Sequence, residues 1–429
     1  MNEDFLQYVW SQRLYGSERQ ETTSGDVVEI LNPGILNSNA GPDFFNAQVK
    51  IGNVTWAGNV EIHISSDDWV RHHHNDDPAY NNVILHVVGR STGSPVFNSR
   101  GQLIPEIELR FPSSLLSNLE ALLCQKSNLP VRCSAMLGSV SPIVRTSWLD
   151  SLLFERLEAK SRRFELLVDE AGGDRDQAFF VLLARAMGGR VNSEPMELLA
   201  RFTPLRIIQK HPNALQAEAL LLGQSGLLDA SDSTDLYVKD LKREYALLRN
   251  KFNLEPVDNS LWKYLRMRPA NFPDLRLAQL ASILRSLHGS FESLFHGRSL
   301  SDIDKLFQCE VSDYWQSHYR VGVMADNAKG GSLGAATRRI ILINAVIPYM
   351  LADAIRKGVY DQREAVVEML RQLPVERNSR LELWQSLGLR LADEGDAQAL
   401  LHLYSAYCEK NKCLRCRFGH AIVSRNVNS

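Results

Sequence analysis

A chain of 429 residues that is 44% hydrophobic is long enough for two or three domains, each with a core of its own. Its 48 basic and 50 acidic residues leave a formal charge of −2, which excludes a global field drawing it to nucleic acid or to an anionic membrane; such contacts must be local. No window approaches 18 uninterrupted apolar residues, and MNEDFLQYVW lacks a basic stretch followed by an apolar one, so a cytoplasmic protein without a membrane span is expected.

Phe5, Leu6, Val9, Trp10 and Leu14 fall near helical spacing and predict a short helix within residues 1–15. From DVVEIL to QLIPEIELR, short β-rich runs alternate with turn residues, which predicts a mainly β module ending near residue 112. Gly52-Asn53 marks a two-residue hairpin turn. If Ile51 faces Val54, one face carries Phe45, Ala47, Val49, Ile51, Val54, Trp56, Val60 and Ile62. Asn46, Gln48, Lys50, Thr55, Asn59, Glu61 and His63 share the other. Glu61 and His63, two residues apart on a strand, point the same way. Asp43 then falls opposite Ile62, on the apolar face, and reaches Glu61 only through a bulge or an irregular strand start, for which Gly41-Pro42 is a suitable place.

SSDDWVRHHHNDDPAY and VILHVV follow. Ser65 or Ser66 is a candidate cap for a short helix, while His72, His74, Asp77 and His86 are candidates to support Glu61 or to ligate a second ion. The plainer alternative is a polar surface loop with His86 as a satisfied core histidine. Beyond about residue 140, runs such as SWLDSLLFERLEAKSRRFELLVDEA and LYVKDLKREYALLRNKF carry 3.6-residue apolar spacing broken by Gly or Pro. The organisation is therefore α+β: a mixed, mainly β domain over 1–135, a larger all-α domain over 140–400 and a cysteine-rich tail over 401–429.

Residues 239–276 hold nine basic and five acidic residues around Trp262 and Tyr264, which makes Lys263, Arg266 and Arg268 candidates for a nucleic-acid contact. A solvated helix face over core aromatics explains the same pattern. NAKGGSLGAATRR is Gly-rich without a phosphate-binding motif, and neither G-x-S-x-G nor H-E-x-x-H occurs. The six cysteines are too few for a disulfide scaffold in so long a chain. Cys408-x4-Cys413-x2-Cys416-x3-His420 matches the ligand set of a structural Zn²⁺ site. The same cysteine spacing also serves iron–sulfur clusters, for which Cys124, Cys133 or Cys309 would supply the fourth ligand.

Pro42-Asp43 and Glu61-Ile62-His63 together resemble the PD-(D/E)xK nuclease superfamily, in which Pro-Asp precedes Asp/Glu-x-Lys on the neighbouring strand. The resemblance implies a nuclease-like N-terminal domain that hydrolyses phosphodiesters, with Asp43 and Glu61 holding Mg²⁺ or Mn²⁺ and His63 standing where the family has lysine. Gln48, on the same strand face, would be an auxiliary residue, and nucleic acid the partner. A non-catalytic binding protein built on a degenerate nuclease-like core is the rival expectation. LNPGILNSNAGPDFFNAQVKI, WAGNVEIHISSDDWVRHHHNDDPAYNNVILHVV, RPANFPDLRLAQLA and YCEKNKCLRCRFG are similar, nearly end to end, to an uncharacterised bacterial family of the domain-of-unknown-function type.

Overall fold

In the computed structural model Asn2 opens helix α1 (Glu3–Ser11), its side chain accepting from the Phe5 amide. The structure describes residues 2–16, 18–124, 130–211, 213–287, 289–325, 331–376 and 378–425. Phe5, Leu6, Val9 and Trp10 are fully buried, as the helical spacing predicts, each side chain contributing about 1.5–3 kcal/mol of transfer free energy.

The chain then lays down β1 (Gln20–Glu21), β2 (Val27–Asn32), β3 (Ile35–Leu36), β4 (Phe44–Ile51), β5 (Val54–Ser65), helix α2 (Asp68–Arg71), β6 (Val83–Arg90), β7 (Val96–Phe97), β8 (Leu103–Ile104) and β9 (Glu106–Glu108). Among the described residues seven strands form one sheet, six in the order β1-β2-β4-β5-β6-β9 and β3 paired with β4 off that path, and β7 and β8 form a separate ribbon. An antiparallel bridge between Thr22 and Ile107 links the two edges, so the sheet curves back on itself. β4 and β5 are antiparallel, whereas β5 and β6 are parallel. A parallel neighbour requires a crossover, and residues 66–82 supply it, carrying α2 and the turn Pro78–Tyr80. The two strands pack closely at Gly58, where a Cβ would lie 2.5 Å from Ile84 Cγ2 and 2.7 Å from the Asn82 carbonyl oxygen.

The β4–β5 hairpin departs from perfect register. Val49 pairs with Trp56 and Ala47 with Gly58, but Phe44 pairs with Val60, so Phe45 and Asn46 together oppose Asn59. Asn46 takes the left-handed conformation, φ 56°, as a bulge residue does. The irregularity thus lies beyond the expected Gly41-Pro42. Phe44, rather than Phe45, enters the core, and Val54 and Trp56 at the turn end of the hairpin stay exposed.

Two compact units result: residues 1–150, 380–390 and 400–429 in the first, residues 151–379 and 391–399 in the second. The cysteine-bearing tail therefore clusters with the sheet, tied by Asn118 Nδ2, which donates to the carbonyls of Val423 and Arg425 at 3.0 Å. Asn118 lies on α3 (Ser113–Leu123). The second unit is helical, through α4 (Pro142–Glu170), which starts in the first unit, then α5 (Arg175–Met187), α6 (Ser193–Phe202), α7 (Leu205–Lys210), α8 (Ala214–Gln224), α9 (Leu236–Phe252), α10 (Pro273–Ser286) and shorter helices. α5, α8 and α10 are buried on nearly every side and form its centre. Gly223 permits α8 and α9 to touch, since a Cβ there would stand 2.1 Å from the Tyr245 ring. The α+β architecture matches the expectation. No helix among the described residues is long and apolar enough to cross a membrane.

Candidate active site

The bulge decides where Asp43 goes. Adding one residue to β4 moves Asp43 from opposite Ile62 to the neighbourhood of Glu61, and each carboxylate accepts from a backbone amide across the strand pair. Glu61 Oε2 accepts from the Asp43 amide at 2.9 Å, and Asp43 Oδ2 accepts from the Ile62 amide at 3.0 Å. Helix α1 adds Gln7, whose Nε2 donates to Asp43 Oδ1 at 2.9 Å. One turn earlier, Glu3 lies in the same electrostatic neighbourhood, its carboxyl raised by burial and then by Asp43.

Three imidazoles complete the cluster. Nitrogens of His63, His72 and His74 all lie within 4.8 Å of one another. Glu61 Oε1 is 3.5 Å from His63 Nε2 and 3.3 Å from His74 Nε2, and His72 Nδ1 is 3.2 Å from His63 Nε2. Each ring is held in place by its own neighbours. His74 stacks on Tyr80 at 3.7 Å between ring centroids, while the intervening His73 takes φ 62° and is exposed. His63 Nδ1 meets His86 Nε2 at 2.8 Å, and His86 Nδ1 meets Glu106 Oε2 at 2.9 Å. With one proton on each ring, Glu106 accepts from His86 Nδ1 and His86 Nε2 accepts from His63 Nδ1, which leaves the lone pair of His63 on Nε2, aimed at Glu61 and His72. Ser66 and Ser91 each donate to Glu106 Oε1 at 2.7 Å.

The electrostatics follow from this packing. Burial, then Glu61, pushes Asp43 up to about 7; burial pushes Glu61 up to about 8 against the opposing pull of the Asp43 amide. Burial and the three surrounding imidazoles hold His63 far below its ordinary value, so it is neutral. Burial works against the Glu106 charge, but hydrogen bonds from His86, Ser91 and Ser66 outweigh it and hold that carboxyl below its usual range. Glu61, His63 and His74 are buried whereas His72 is exposed, so the cluster opens to solvent on the His72 side.

Other expected residues stand elsewhere. Gln48 pairs with Ala57, four positions along β5 from Glu61, roughly 13 Å at strand rise. Asp77 is exposed and accepts from the Ala79 amide at 2.8 Å, capping the turn Pro78–Tyr80. Ser66 binds Glu106 instead of capping α2, whose N-cap is Asp67. In the second unit, Lys263, Arg266 and Arg268 are exposed, but the aromatics between them are engaged: buried Trp262 donates to the Ser225 carbonyl and Tyr264 to Asp274 Oδ2. His420 is hydrogen-bonded through Nδ1 to Tyr8 Oη at 2.9 Å. Sequence reasoning missed Glu3, Gln7 and Glu106. The four-residue spacing of Glu3 and Gln7 on an amphipathic helix was the available signal for the first two. For Glu106, a carboxylate between the apolar positions of PEIEL gave only a weak one.

Fold and site define an α+β protein with a half-enclosed carboxylate–imidazole cluster on one strand pair and its crossover. The chain belongs to the family described as "Protein of unknown function (DUF2851)", whose family model matches residues 3–379. The matched stretch contains every residue of this cluster and ends before Cys408. No curated protein and no solved structure matches the chain.

Proposed function

We propose that this chain is a metal-dependent hydrolase of phosphodiesters, with nucleic acid as its substrate. The observation that carries the reading is the bulge at Phe45–Asn46, which brings Asp43 to Glu61 beside three imidazoles. The donor chemistry fits a divalent cation: Glu61 Oε1, His63 Nε2, His72 Nδ1 and His74 Nε2 face one another. No lysine or arginine forms an ion pair with Asp43 or Glu61 among the described residues, so the two raised carboxyls lack a compensating cation. A set rich in imidazole suits Zn²⁺ or Mn²⁺ better than Mg²⁺, which prefers oxygen ligands. When held there, such an ion would lower the pKa of water and stabilise negative charge on a phosphate oxygen.

The residues divide the remaining work. Glu106 and His86 fix the His63 ring with its lone pair outward, which suits His63 to be a ligand; its depressed basicity argues against the proton-transfer role that the resembled nuclease superfamily gives to a lysine. Asp43, beside Glu61 but outside the proposed ligand set, would take the proton of the attacking water. Gln7 orients that carboxylate through Oδ1.

The test is cleavage of single- and double-stranded DNA and RNA by the whole chain with Zn²⁺, Mn²⁺ or Mg²⁺. Wild type should cleave at least one substrate with Mn²⁺ or Zn²⁺, and Glu61→Gln and Asp43→Asn should each lower the rate by about 100-fold or more, the scale of losing a ligand or a general base. Cation-dependent binding of nucleic acid without cleavage by wild type would favour the non-catalytic reading.

A further inference from the structure

The second concentration of ligand-type side chains lies in the same unit but in different elements. A π-helical turn, Leu403–Cys408, delivers Cys408; the following loop and one-turn helix Cys413–Arg415 deliver Cys413 and Cys416. These three line one small cavity together with a fourth cysteine far away in sequence, Cys133. We propose that Cys133, Cys408, Cys413 and Cys416 are the four thiolate ligands of a single iron–sulfur cluster that fastens the C-terminal segment to the residues following α3.

Several observations converge on this site. All four cysteines are free, Cys133 and Cys416 are buried, and each of the four thiols is raised by burial, Cys133 up to about 12, with the other thiols contributing to that of Cys133 and Cys408. Four apolar-packed thiols have no mutual attraction that would gather them, whereas a metal centre ligated by four thiolates does. N–H groups also gather at a sulfur. The Phe418 and Gly419 amides act on Cys416, and so does the Trp148 indole, which is 5% exposed and has no hydrogen-bond partner of ordinary geometry. Donors aimed at a sulfur stabilise the thiolate form that ligation needs. Gly419 is the one residue type that fits there, since a Cβ would lie 2.0 Å from the Cys413 carbonyl oxygen.

The expected fourth ligand, His420, is held by Tyr8 through Nδ1 and does not line the cavity. Cys124 and Cys309 do not line it either. The spacing of the sulfurs separates cluster from zinc. Among the described residues the one group of three donors lying within 4.8 Å of one another is the histidine trio, so no three of these sulfurs come so close. A single Zn²⁺ with ligands at about 2.3 Å in a tetrahedron sets sulfurs about 3.8 Å apart, so the wider spread calls for a larger centre. On ligation each thiol gives its proton to solvent, and the positively charged iron–sulfide core offsets part of the charge of the four thiolates in a site that otherwise disfavours them.

The experiment is anaerobic purification of the full chain without chelator, followed by iron, zinc and acid-labile sulfide analysis and an absorption spectrum. Iron and sulfide should appear in about equal amounts, about two to four of each per chain, with a brown colour. Cys133→Ser should lose at least tenfold of that iron, and His420→Ala should keep it. Zinc without sulfide, less than about one-tenth equivalent of iron, or loss in His420→Ala with retention in Cys133→Ser would each overturn the proposal. Should Cys133→Ser not fold, the wild-type metal content and the His420→Ala result still decide. Divalent-dependent cleavage is not the readout, so failure here is distinct from failure of the hydrolase reading.

Discussion

Half-buried Asp43 and buried Glu61 stand beside each other with backbone amides, one glutamine and neutral imidazoles for company, and that arrangement makes their protons part of the fold. Both carboxyls are raised, mainly by burial, to about 7 and about 8, and Glu3 shifts the same way. Between about pH 6.5 and about pH 8.5 the unfolded chain has already lost these protons, whereas the folded chain still holds part of them. Stability of the metal-free protein therefore falls as pH rises through that window. His63 and His74 are shifted down and are neutral when folded, while the unfolded imidazoles lose most of their remaining protons by about pH 7.5, so they oppose the trend only in the lower part of the window. The metal-free melting temperature should drop by several degrees between about pH 6.5 and about pH 8.5, and the Asp43→Asn, Glu61→Gln double variant should flatten the profile. Saturating Mn²⁺ should also remove the drop, because a cation takes the place of the protons. A metal-free melting temperature that rose across the window would contradict this assignment.

At the scale of elements, the site depends on one extra residue in β4. Deleting Asn46 restores the perfect hairpin and returns Asp43 to a position opposite Ile62, which takes from the ligand Glu61 both the Asp43 amide that orients it and a neighbouring negative charge, so Mn²⁺ affinity by calorimetry should fall at least tenfold while the far-ultraviolet spectrum of the sheet persists. Asn46→Gly should keep binding, since glycine accepts φ 56° freely, and Asn46→Val should destabilise by about 1–2 kcal/mol. Full-strength binding by the deletion variant would show that the bulge is irrelevant. This element also marks how far the sequence could be read. Alternation and Gly52-Asn53 suffice for the hairpin, and the two-residue step suffices to put Glu61 and His63 on one face. The place of the bulge has no local signature beyond an asparagine tolerant of positive φ, so the partner of Asp43 depended on tertiary pairing. The crossover behaved similarly. HHH announced imidazoles, but only the stacking of His74 on Tyr80 and the outward turn of His73 select which rings converge.

At the scale of the whole molecule, the change from short β runs to helical periodicity was legible because core faces repeat with the period of the element that buries them. The return of the C-terminal segment to the first unit was not, because nothing in local composition selects Cys133 over Cys124 or Cys309 as the partner of Cys408 across so long a stretch. Local charge was equally ambiguous: the stretch with a basic excess has its two aromatics packed or hydrogen-bonded, which leaves exposed Lys263, Arg266 and Arg268 as the surface to test for nucleic-acid contact in the second unit. The hydrolase reading rests on a single requirement, that Glu61 and the three histidines bind one cation together. A Mn²⁺- or Zn²⁺-soaked crystal of the whole chain, recorded at the absorption edge of the metal, tests it most directly. One anomalous peak is expected within about 2.0–2.3 Å of Glu61 Oε1, His63 Nε2, His72 Nδ1 and His74 Nε2, with Asp43 on the same side of the sheet. No peak at saturating metal, or Asp43 and Glu61 on opposite faces of the sheet, would contradict it.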